Sequence, residues 1–126
     1  MKTGDLMSWE RTFTDEDIRL FARFSGDAGE HHLQPDQKGR LMVHGLLTAT
    51  LPTKIGGDMN FIARQLFFQF LRPVFSGDTV RCEVTLVALE PGEQYADVKS
   101  TWRCLNQHGK EVMTGQASGV IMNRGS

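Results

Sequence analysis

The sequence predicts a single α+β domain in which one long antiparallel sheet covers one hydrophobic helix. Three observations predict it. Beyond residue 60 the chain reads as successive runs of alternating apolar and polar residues, separated by turn residues. Before that point only one segment, VHGLLTATLPTKIGG (43–57), is strongly apolar with helical reach. The chain has 126 residues, enough for one core and too few for two ordinary domains, so residues 1–126 are expected to form one unit.

Taken in order, MSWERTF (7–13) alternates weakly and is expected to be a strand. Thr14 then precedes DEDIRLFARFSG, which has acids in its first turn and Ile18, Phe21, Ala22 and Phe24 spaced for one face. A capping threonine followed by that pattern is a short amphipathic helix ending near Gly26. Residues 28–40 are rich in Gly, Pro and polar side chains and read as loop. The apolar helix from Met42 should be buried, kinked by Pro52 and closed by Gly56 and Gly57. FIARQLFFQFLRPVF (61–75) is an aromatic strand ending at a proline. Its Phe67, Phe68 and Phe70 read as sheet core and as dimer or tunnel lining. In SGDTVRCEVTLVALE, Val80, Cys82, Val84 and Leu86 alternate with polar residues, the mark of a half-buried antiparallel strand. QYADVKSTWRCLN repeats the device, with Ala96, Val98, Ser100, Trp102 and Cys104 on one side, and EVMTGQASGVIM follows the turn NQHGK as the last strand. The closing NRGS is expected to be a disordered tail or an expression remnant.

Composition narrows the function. A formal net charge of -1 offers no long-range attraction to nucleic acid or to an anionic membrane. No apolar run approaches the roughly 18–20 residues a bilayer span needs. Cys82 and Cys104 fall inside strands of a chain that shows no signal-peptide pattern at its start, which fits reduced, packed thiols in a cytoplasmic protein.

Chemistry concentrates in FSGDAGEHHLQPDQKGRLMVHGLL (24–47), which holds Asp27, Glu30, His31, His32 and His44, every histidine but His108. From the residues alone this is a polar loop, a metal site or an acid/base centre. No pair among His31, His32 and His44 has the spacing of a known zinc motif, so the metal reading is the weaker one.

The words of the sequence resemble one family. FSGDAGEHH with VHGLL resembles the hydratase motif of the MaoC-like, (R)-specific enoyl-CoA hydratases, S-G-D-x-N-P-x-H followed by H-G-M/L. FQFLRPVFSGDTV is similar to that family's F-x-x-P-V-x-x-G-D-x-V strand pair, and GKEVMTGQASGVIM to its closing G-x-x-V-x-x-G-x-A strand. The resemblance covers nearly the whole chain and implies the hot-dog fold, a sheet wrapped round a central helix. It puts the family's catalytic aspartate on Asp27 and its catalytic histidine on His32. The glycine after the second histidine falls on Gly45, and the small hydroxyl residue of the central helix on Thr53.

The implied reaction adds water to a trans-2-enoyl thioester, giving an (R)-3-hydroxyacyl thioester, with no metal and no redox cofactor. It needs a base for the water, a proton for the α carbon and donors for the enolate oxygen. Asp27 and His32 are suited to hold one water between them. The helix after His44 starts with unpaired N–H groups suited to an oxyanion, Gly45 allows the carbonyl close, and Thr53 braces the site. The implied partners are acyl-CoA or an acyl carrier protein thioester, and a second copy of the chain in a homodimer or dimer of dimers.

Two departures lie over the site. Gly29-Glu30 stands where the family has Asn-Pro, and the stretch from His32 to His44 is shorter than the family's, which implies a more open pocket or a changed substrate. Glu30 reads as a solvated loop acid, and the less favoured reading makes it an extra base. Two other functions stay open: a hot-dog acyl-CoA thioesterase that activates water toward the carbonyl, and an acyl-thioester binding domain without turnover.

Overall fold

The computed structural model describes residues 1–123. In chain order the elements are β1 (Leu6–Thr12), α1 (Asp15–Ser25), α2 (Glu30–Leu33), α3 (Gly45–Thr48), α4 (Thr50–Asp58), β2 (Phe61–Phe70), β3 (Thr79–Glu90), β4 (Tyr95–Leu105) and β5 (Glu111–Met122). The strands form one antiparallel sheet in the order β1-β3-β4-β5-β2, so β1 and β2 are its edges. Helix α4 touches both edge strands as well as β3, so the sheet curls round it. This is the α+β arrangement the sequence predicts.

Period-two alternation drives the sheet. On β3 Val80, Cys82, Val84 and Leu86 are buried, and on β4 so are Val98, Ser100, Trp102 and Cys104. Cys82 pairs with Cys104 across the two strands; both thiols are free and fully buried. Hydrogen bonding with Cys104, then burial, pushes the Cys82 thiol up, so at neutral pH it packs as a small apolar group. From α4, Leu51 and Ile55 enter the same core.

Helix α1 carries the predicted cap. Thr14 accepts from the Asp17 amide while the Asp17 carboxylate accepts from the Thr14 amide, a reciprocal pair that satisfies two helix-end donors, and Gly26 closes the other end in the left-handed region. Ile18 and Ala22 are buried as expected, whereas Phe24 is 88% exposed. On an 11-residue helix at 100° per residue, position 24 lies away from the 18/22 stripe.

Four further boundaries differ from expectation. The 28–40 loop contains the turn of helix α2, and its remainder is closed by Asp36, which accepts from the amides of Lys38 and Arg40 and from the Arg40 guanidinium. The apolar helix is two pieces broken at Ala49. Pro52 has no N–H for the Thr48 carbonyl and its ring crowds that turn, so the break falls one turn before the proline. Gly56 and Gly57 lie inside α4; the chain leaves the helix through Met59 and Asn60, whose φ of 57° is left-handed. Strand β2 stops at Phe70, where the expectation ran to 75. Of the predicted tail, Asn123 is bonded through its side chain to the carbonyls of Gly92 and Glu93, and residues 124–126 lie outside the described ones. Among the described residues no helix is long and apolar enough to cross a membrane.

Candidate active site

Asp27 follows the C-cap of α1 and is fixed by its own turn. Its amide donates to Ser25 Oγ at 3.0 Å, and its Oδ1 accepts from the Gly29 amide at 3.2 Å. That leaves Oδ2 facing His32 Nε2 at 3.7 Å. The glycine at 29 thus serves the aspartate directly, through a backbone donor.

His32 sits on the inward side of α2 and is 5% exposed. Its Nδ1 lies 2.7 Å from the Met42 carbonyl. A carbonyl only accepts, so Nδ1 carries a hydrogen, and in the neutral ring the Nε2 lone pair would face Asp27. The separation of 3.7 Å is too long for a direct hydrogen bond and suits a shared water.

His44, 2% exposed, ends the approach to α3 and holds the centre from behind. Its Nε2 donates to the Asp27 carbonyl at 2.9 Å, its ring stacks on that of His32 at 3.6 Å and 14°, and Phe21 meets it edge-on at 4.8 Å. Its Nδ1 is buried without a hydrogen-bond partner among the described residues. The contacts of His44 with both Asp27 and His32 join residues distant in the chain and leave no local signal in the sequence.

Gly45 opens α3 immediately after His44, and neither its amide nor that of Leu46 has an acceptor among the described residues. A Cβ at position 45 would stand 2.8 Å from the Phe70 ring, so glycine is what lets that ring lie against the helix start. A cavity of about 670 Å³ joins these groups, with Asp27, His32, His44, Gly45, Phe70 and Arg72 in its wall. His31 is exposed beside His32, with ring centroids 3.9 Å apart, and Glu30 is exposed with no side-chain partner among the described residues. Thr53 stands apart from this cluster. Its hydroxyl donates to the Ala49 carbonyl at 2.8 Å, and the residue faces a different cavity.

Asp27, His32 and His44 bring one potential ligand atom each within 4.8 Å of one another. Metal-bound imidazoles place the ion in the ring plane, and two rings stacked 14° from parallel share no such point. One nitrogen of each ring is also committed to a carbonyl. The geometry is that of a carboxylate and an imidazole facing each other, with a second imidazole packed behind.

No protein-family model matches the chain. It is 31% identical to the (R)-specific enoyl-CoA hydratase of Rhodospirillum rubrum over 99% of this chain and 91% of that one. It is 27% identical to a mitochondrial 3-hydroxyacyl-[acyl-carrier-protein] dehydratase of Arabidopsis thaliana, over 98% and 79%. Among solved structures, the (R)-hydratase of Aeromonas caviae involved in PHA biosynthesis superposes with a TM-score of 0.85 at 28% identity, covering 98% of both chains. The fold and these relatives define a hot-dog enzyme of the lyase type, a hydratase or dehydratase. The chain belongs to the MaoC-like, (R)-specific enoyl-CoA hydratase family.

Proposed function

We propose that this chain hydrates trans-2-enoyl thioesters to (R)-3-hydroxyacyl thioesters, and runs the reverse dehydration, with Asp27 and His32 acting on one water. The observation that carries the reading is the pair itself: Oδ2 and Nε2 face each other across 3.7 Å in a cavity that also presents the unpaired amides of Gly45 and Leu46. A water held between the two accepting atoms loses a proton as its oxygen attacks the β carbon, and the pair returns a proton to the α carbon. The thioester oxygen, which gains charge as the enolate forms, is stabilised by the Gly45 amide at the start of α3. Thr53 is assigned a supporting role on the α4 side of the substrate. The addition leaves the overall oxidation level unchanged, so the chemistry calls for no redox group.

The substrate is carried as a thioester of CoA or of an acyl carrier protein, matching the names of the bacterial and plant relatives. The working form is a homodimer. Edge strand β2 exposes Ile62, Leu66, Phe67 and Phe70, each 53% accessible, apolar surface at a sheet edge that a second copy would cover. The bacterial relatives favour a cytoplasmic setting.

Incubation with crotonyl-CoA tests the reaction. Loss of the enoyl absorbance without thiol release is the expected result. Thiol release would make the chain a thioesterase, and binding with neither change would make it an acyl-thioester binding domain.

A further inference from the structure

A second cavity, of about 240 Å³, lies under α4 on the inner face of the sheet. Its wall is apolar except at Thr53, Ser100 and Trp102. Ser100 and Trp102 belong to the inward row of β4, and the cross-strand neighbours of Ser100 are Leu86 and Ala117. Ser100 is 7% exposed and has no hydrogen-bond partner among the described residues; the Trp102 indole Nε1 is likewise buried and unpartnered. Thr53 has donated its hydrogen to Ala49 and keeps its oxygen as an acceptor. A hydroxyl without a partner in an otherwise apolar row costs free energy that a polar occupant recovers.

This cavity neighbours the reaction centre. Phe70 packs on Gly45, the rings of Phe70 and Phe68 stack at 6.2 Å, and Phe68 lines the second cavity 5.6 Å from Trp102. The two aromatic rings are the partition, and Phe70 is half exposed, so its ring can turn without disturbing the core. A chain attached to the thioester at Gly45 and running past that pair arrives between Ser100 and Trp102.

We propose that the second cavity receives the distal part of the acyl chain and selects chains that carry a neutral hydrogen-bonding oxygen there, a hydroxyl, keto or ether group, over plain alkyl chains. The inference rests on the hydratase reading for the orientation of the substrate. An oxygen at that depth accepts from Ser100, and a hydroxyl also donates to Thr53. A carboxylate is excluded because no cationic side chain lines the cavity, and a buried charge without a partner is far more costly than a buried dipole.

The test compares matched trans-2-enoyl-CoA substrates of equal length, one plain and the others with a hydroxyl at successive distal carbons. At one or two positions kcat/KM should exceed that of the alkyl chain about 10-fold, a hydrogen bond's worth of discrimination. Ser100→Ala, a change small enough to preserve the sheet, should bring that ratio to about one. A wild-type preference for alkyl at every position, or a Ser100→Ala variant with the ratio unchanged, would overturn the proposal. Calorimetric binding of the corresponding saturated acyl-CoA pairs needs no turnover and separates the two readings. A hydroxyl preference in binding without hydration removes the hydratase and keeps the cavity's selectivity; hydration without any preference does the reverse.

Discussion

Strands β3 to β5 and the segment from Asp27 to Gly45 pack against the same core, yet different forces shape them. Each strand is held along its whole length by a ladder and by a row of buried side chains, as with Val80, Cys82, Val84 and Leu86 on β3. Any one of those contacts is backed by its neighbours. The site segment has almost no ladder. It is shaped by single bonds, each made once: Ser25 Oγ to the Asp27 amide, Asp27 Oδ1 to the Gly29 amide, His32 Nδ1 to the Met42 carbonyl, and His44 Nε2 to the Asp27 carbonyl. Redundant contacts give stability, and single contacts give placement. Substitutions in the sheet should therefore act on folding, and substitutions in the segment on turnover.

The largest effect expected from that contrast is chemical. Asp27→Asn and His32→Gln keep size and most hydrogen bonding but remove the exchangeable proton site, and each should lower hydration of crotonyl-CoA by about 10²- to 10⁴-fold. His31→Gln and Glu30→Gln, whose side chains lie outside the facing pair, should cost far less. A melting temperature recorded beside each assay checks that the loss is not one of folding.

In the sheet the sign of the comparison reverses. A Cβ on Gly119 of β5 would clash with the Ile62 carbonyl oxygen, and the two residues lie in paired strands. Gly119→Ala should destabilise by about 1–3 kcal/mol in a denaturant titration, while kcat per folded molecule stays near wild type. Smaller still, Thr14→Ala removes the reciprocal cap of α1 and should cost about 1 kcal/mol. Asp17 shares that cap. Burial opposes its charge, but the Thr14 amide and the Arg11 guanidinium outweigh it and hold the carboxyl below the usual range.

The smallest effect sharpens the picture of the shortened loop. Bonds from the Arg40 amide and guanidinium, against slight desolvation, hold the Asp36 carboxyl below its ordinary value. A depressed carboxyl stabilises the turn above its unfolded value and releases it as pH falls through the folded one. An NMR titration should show Asp36 changing state below the exposed aspartates, with the Lys38 and Arg40 amides losing protection over the same acid window.

The same contrast explains what could be read in the chain. Val80 to Leu86 and Val98 to Cys104 announce their strands through a period-two pattern that any window detects, and Thr14 with Asp17 announces a helix start. The break at Ala49 and the exit at Asn60 were harder, because propensity favours a continuous helix across 43–57 and only the missing Pro52 donor and a left-handed asparagine interrupt it. In the site, the resemblance picks out Asp27, His32 and Gly45, which the fold brings round one cavity. Their geometry was not legible: Asp27 accepts from the Gly29 amide and His32 donates to the Met42 carbonyl, and backbone groups carry no residue identity. Phe24 shows the opposite error, an apolar residue in a helical pattern that the structure leaves exposed.

The central claim is that Asp27 and His32 act as one unit on one water, and a double-mutant cycle on crotonyl-CoA hydration tests it most directly. The Asp27→Asn/His32→Gln double variant should be little slower than the worse of the two singles, because loss of either group already disables the pair. Losses that multiply, so that the double variant falls by the product of the two single effects, would show that the residues act independently and would contradict the shared-water account.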